Sequence, residues 1–125
     1  MLPKFYQTHL RSILDTNQYI LLNLLVELLQ WQKQVRLERL AANLPLPIQF
    51  ESRRRHLQRF LICPKLTTSY IWFAIINFLL NNYFVDSQKL LVVIDRTQWR
   101  ELNLLMVSLI WNSRAIPLNW QGSPE

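Results

Sequence analysis

Arg53, Arg54, Arg55, Gln58 and Arg59 lie within one short stretch, ESRRRHLQRFLI at positions 51–62. Arginine is always charged and its planar fork matches phosphate and the edge of guanine, so several on one helix suit a nucleic-acid partner. At 100° per residue, Arg55 and Arg59 stack on one face with Arg54 and Gln58 at its flank, while Leu57, Phe60 and Leu61 share the opposite face. The plainer reading is a solvated basic face. The amphipathic frame and the helix before it bring a helix laid against double-stranded DNA level with that reading. A second candidate is Asp95, which closes the apolar run LLVVI at 90–94. A carboxylate at a strand end can bind a divalent metal, yet magnesium usually needs further oxygen ligands, and a lone strand-end Asp more often caps a turn.

Other reactive side chains offer less. His9 and His56 have no partners at metal-ligand spacing and read as surface residues, and Cys63 sits beside Pro64 with no nearby His or Asp to activate it. Trp99, Trp111 and Trp120 read as core, with base stacking as the alternative. There is no Gly-rich phosphate loop and no serine nucleophile elbow, which sets aside the common nucleotide-binding and hydrolase motifs.

The elements that would position these residues begin with a short helix at 3–14. Asp15, Thr16 and Asn17 then offer caps for a helix at about 17–32 carrying Leu21, Leu24, Leu25, Leu28 and Leu29. A helix at 35–44 follows, stopped by Leu44-Pro45-Leu46-Pro47. With the basic helix at 51–62 it makes the outline of a helix-turn-helix unit, joined by a longer link than usual. Residues 70–83 form an apolar helix expected to be buried on all sides. Asp86 and Ser87 lead into strands: 90–94, read as covered on both faces, then 104–111, a break at Asn112, Ser113 and Arg114, and a third run at 115–120.

The chain has 125 residues, 50% of them hydrophobic, enough for one modest domain or a module and part of another. Its net charge is +6, and the excess lies in residues 1–66, where ten Lys and Arg face four acids; residues 67–125 carry four of each. That asymmetry points to an anion-binding N-terminal module and a neutral C-terminal part. The single cysteine excludes an internal disulfide, in keeping with a cytoplasmic location, and residues 1–15 lack the apolar segment of a secretory signal. The single glycine, Gly122, leaves tight turns to Asn, Ser and Pro. The apolar runs at 19–29 and 70–80 fall short of the roughly 20 residues of a membrane span and contain or adjoin polar residues, so both read as core helices. A small membrane-associated protein is the minority reading.

LLVVIDRTQW, NLLMVSLIW and AIPLNW together resemble the start of the catalytic domain in DDE-type transposases of bacterial insertion sequences, of the insertion-sequence-four kind. The family's Asp-Arg-Thr-(Asn/Gln)-Trp, Asn-(Ile/Leu)-Leu and Ala-(Ile/Leu)-Pro-Leu-x-Trp motifs match Asp95 to Trp99, Asn103 to Leu105 and Ala115 to Trp120, in order. LPLPIQFESRRRHLQRFL at 44–61 is similar to the family's N-terminal DNA-binding region. The resemblance implies a ribonuclease-H-like fold that cuts and joins DNA with two magnesium ions, which activate the attacking oxygen and stabilise the leaving one. Asp95 would be the first catalytic, metal-bridging carboxylate.

The family also needs a second Asp and, far downstream, a Glu within Tyr-Arg-Glu-Lys; Glu101 and Glu125 are too close to Asp95 to serve. The expectation is therefore an α+β chain: a helical, helix-turn-helix-like DNA-binding region at 1–85, then the first three strands of an incomplete ribonuclease-H-like sheet at 86–125. It would be the front end of a transposase, as a truncated or decayed copy or one frame of a split gene. Such a chain would bind insertion-sequence ends, associate with itself or with the remaining transposase, and not transfer strands alone. The competing class is a non-enzymatic helix-turn-helix protein that occupies element ends and dampens transposition.

Overall fold

A computed structural model describes residues 2–84 and 89–124. They form an α+β chain of five α-helices, a π-helical turn and a three-stranded antiparallel sheet. It separates into two compact units, Met1–Ile75 and Ile76–Glu125, with the border inside the last helix. The expected lead-in at Asp86 and Ser87, like the boundary at Val85, lies outside the described residues.

The first unit is helical. Helix α1 spans Lys4–Ile13 and α2 spans Thr16–Gln32. Between them Asp15 builds a capping box: its carboxylate accepts from the Gln18 amide at 2.8 Å, and the Gln18 side chain accepts from the Asp15 amide at 3.1 Å. Two donors that a helix start leaves unpaired are thereby satisfied. Helix α2 ends as Lys33 turns into the left-handed region at φ 54°. Helix α3, Leu37–Asn43, and helix α4, Phe50–Leu61, follow and pack on one another. Their shared core joins Leu21, Leu25 and Leu28 of α2 to Leu40 and Ala41 of α3, Leu44 of the link, and Leu57 and Phe60 of α4. Leu44 and Leu57 are fully buried, so truncating either to alanine would cost about 2–5 kcal/mol.

The apolar stretch expected as one helix from 70 begins instead as a π-helical turn, Thr68–Trp72, whose start is capped by the Thr67 hydroxyl accepting from the Tyr70 amide at 3.2 Å. It runs into helix α5, Phe73–Tyr83. Burial on all sides is not found: Ile75, Ile76 and Leu79 are buried, whereas Tyr70, Phe73, Phe78 and Tyr83 are exposed. Only the stripe at positions 75, 76 and 79, which matches helical period, is buried.

The second unit contains the sheet, a meander in the order β1 (Leu91–Trp99), β2 (Leu102–Trp111), β3 (Arg114–Pro124). Arg100 and Glu101 make the first turn, with Arg100 at φ 55°. Asn112 and Ser113, at φ 50° and 60°, make the second, the paired left-handed geometry of a hairpin turn. A bulge between Val107 and Ser108 shifts the β2–β3 register, and Leu118 is the extra residue. Near Trp111 stand the rings of Tyr83 and Phe84, at 5.4 and 5.6 Å.

Two expectations for the sheet are corrected. Residues 90–94 are not covered on both faces: every residue of β1 is exposed. A continuous β-branched run has the composition of a buried strand, but β1 lies at the edge of an antiparallel sheet, an arrangement that can leave a face to water. The tryptophans follow suit, since Trp99 is 64% and Trp120 41% exposed, while Trp111 is partly buried.

Candidate nucleic-acid interface

Helix α4 divides its cationic side chains into two sets. Arg53 falls between Leu57 and Phe60 around the helix and is half-buried, its Nη1 donating to the Leu44 carbonyl at 3.3 Å. Leu44 ends α3, where carbonyls lack helical partners, so a guanidinium there satisfies one of them. Arg54 reaches across to α3, its Nη2 3.5 Å from a carboxylate oxygen of Glu38. Both therefore brace α4 against α3.

Arg55, Gln58 and Arg59 are exposed and line an open cleft with Leu61 and Ile62. Arg55 and Arg59, one helical turn apart, present two cationic forks side by side. Leu61 was expected on the core face but is 50% exposed, and Ile62 is 81% exposed. Arg53 occupies the buried angle that Leu61 was expected to share. Helical spacing alone could not reveal this, because the stem of an arginine packs like an aliphatic chain.

A second cleft of about 340 Å³ lies beside Arg59, lined by Asp15, Asn17, Gln18, Leu21, His56, Phe60 and Cys63. It brings the polar start of α2 next to the outer face of α4, a proximity that the sequence does not signal, since the cap residues at 15–17 mark only a helix start. Here the Gln18 amide donates to the Cys63 sulfur at 3.4 Å. His56 is exposed. His9 is tied down, its Nε2 donating to the Tyr70 carbonyl at 2.8 Å.

Asp95 does not end its strand. It is paired with Met106 midway along β1, and the ladder continues to Trp99 opposite Leu102. Arg96 sustains it by donating from Nε and Nη2 to Asn103 Oδ1 across the hairpin, at 3.3 and 2.9 Å. The exposed Asp95 carboxylate accepts from the Thr97 hydroxyl at 3.4 Å. Among the described residues no group of three or more His, Cys, Asp or Glu could hold a metal ion. One carboxylate and a neighbouring hydroxyl do not make the oxygen set that catalytic magnesium requires, so no metal-dependent step is derived from these residues.

Among the described residues no helix is long and apolar enough to cross a membrane. Comparison of the chain with protein families, curated proteins and solved structures yields no match.

Proposed function

We propose that this chain binds double-stranded DNA through the outer face of α4, with Arg55 and Arg59 on the phosphates and Gln58 between them reaching toward base edges. The observation that carries this reading is the division of labour on α4. Arg53 and Arg54 are spent on holding the helix to α3, while Arg55, Gln58 and Arg59 stand exposed beside one another. Helices α3 and α4 would then act as a loose helix-turn-helix pair, α3 bracing and α4 reading.

The wider setting we infer is DNA transposition, with the chain as the N-terminal part of a DDE-type transposase. Support comes from the motif resemblance and from three consecutive strands, the first of which bears Asp95, the content expected for the opening of a ribonuclease-H-like sheet. In that setting Asp95 acts only where further acids complete its metal-binding set. The alternative, a binder that occupies element ends without cutting, uses the same α4 face.

Fluorescence titration of the full chain with a labelled duplex, repeated at several salt concentrations, tests the proposal. Binding that weakens linearly in log salt is expected. Absence of binding at low salt would overturn it.

A further inference from the structure

We propose that β1 is a self-complementary edge through which two copies of this chain join in one continuous antiparallel sheet. The inference is independent of DNA binding. Within the described sheet, β1 pairs on one side only, and residues 90–94 are between 43% and 67% exposed. An unpaired, apolar edge is a template for another strand. The opposite edge, on β3, is blunted by Pro117, Pro124 and the bulge at Leu118, because proline lacks the donor that a ladder needs. Only β1 therefore offers an uninterrupted row of donors and acceptors, and one adhesive edge per chain closes as a two-fold dimer rather than a fibre.

The occupant follows from the order of residues around Val92. Reading outward from it, Leu91 and Val93 come first, then Leu90 and Ile94, then Lys89 and Asp95. Placed antiparallel on a second copy with Val92 opposite Val92, the apolar residues pair with one another. Lys89 of each copy then faces Asp95 of the other, twice by symmetry. Other registers do worse: centring on Asp95 sets two carboxylates opposite one another, and centring on Ile94 sets Lys89 against Trp99.

Backbone geometry agrees with that register. The two-residue turn at Arg100–Glu101 closes on the pair Trp99 and Leu102. Counting back in twos, Thr97, Asp95, Val93 and Leu91 bond inward to β2, which leaves the amides and carbonyls of Val92 and Ile94 directed off the open edge, and Leu90, just before the strand, continues that phase if the strand extends on pairing. Val92 can thus exchange both bonds with its copy, and Leu90 with Ile94. The charged residues then fall at non-bonded positions, where opposing side chains stand closest.

Sedimentation velocity of the full chain without DNA provides the test, over a range of concentrations. The wild type is expected to form a discrete dimer. Lys89→Asp and Asp95→Lys, made singly, each set like charges opposite one another and should weaken the dimer roughly tenfold. The double variant restores opposite charges in reverse and should restore the dimer. Val92→Pro, which removes a donor not used by β2, should give a folded monomer by circular dichroism. A monomeric wild type, an open-ended aggregate, unaffected single variants, or a double variant as weak as the singles would each overturn the proposal.

Discussion

The guanidinium of Arg53 sits 3.3 Å from the carbonyl of Leu44, so the first arginine of the basic helix is bonded to the end of the helix before it. Its Nε is buried and has no partner among the described residues. The side chain therefore contributes one charged hydrogen bond and a packed stem, offset in part by a stranded donor. Arg53→Ala is expected to lower unfolding stability by about 1–3 kcal/mol. Arg53→Met, which keeps the stem and removes the stranded donor, should cost less. Below the melting transition, DNA affinity and its salt dependence should match the wild type. Denaturant melts and duplex titrations check both halves, and a selective loss of binding in a fully stable Arg53→Ala would move this residue to the interface.

Arg55 and Arg59 should behave in the opposite way. Replacing both with alanine is expected to leave stability within about 0.5 kcal/mol, since they are exposed and lie on the outer face of α4. Binding should weaken, and the slope of log affinity against log salt should fall by roughly two as two phosphate contacts vanish. An unchanged slope would exclude this face.

Glu38 restrains Arg54 at 3.5 Å in a pair whose side chains are 35% and 63% exposed. Exposed pairs of this kind contribute roughly 0–1 kcal/mol. Glu38→Gln should therefore barely shift the melting curve while releasing a cation close to the proposed interface. Tighter duplex binding with a steeper salt slope is the expected result; weaker binding would show that the pair sets the posture of α4.

The isolated chain should leave supercoiled DNA intact with magnesium or manganese. Asp95 has a hydroxyl neighbour, and no metal-binding group of three or more His, Cys, Asp or Glu is found among the described residues. A gel-based nicking assay decides this. Nicking that disappears in Asp95→Asn would mean that Asp95 has acid partners beyond those found among the described residues.

Where local chemistry was sufficient, the sequence was legible. Asp15 announced the start of α2, and Asn112 with Ser113 announced a hairpin, because caps and turns depend on only a few neighbouring residues. The α+β arrangement followed from the short apolar runs at 90–94, 104–111 and 115–120 that come after the helical stretch at 70–83. What failed depended on distant partners. The outward turn of Leu61 and inward turn of Arg53 depend on α3 lying beneath α4. The run at 90–94 looked buried because its composition reports β propensity, which cannot say whether another layer covers it. Asp95 looked like a terminus because a charge usually ends an apolar run, yet the cross-strand bond from Arg96 to Asn103 carries the ladder past it.

The left-handed backbone positions among the described residues are Lys33, Arg100, Asn112 and Ser113, and the sole glycine, Gly122, sits in β3 with nothing within 4 Å of where a side chain would begin. The residue best suited to a left-handed turn is absent from every one of them. Each costs a non-glycine residue about 1 kcal/mol, least for asparagine. Both β-hairpins must therefore climb before they gain, recovering the cost only after several cross-strand pairs have formed. Helix α2, by contrast, starts from a satisfied capping box. The β2–β3 hairpin carries two such positions, Asn112 and Ser113, and the β1–β2 hairpin one, Arg100, so the larger turn cost falls on the second hairpin.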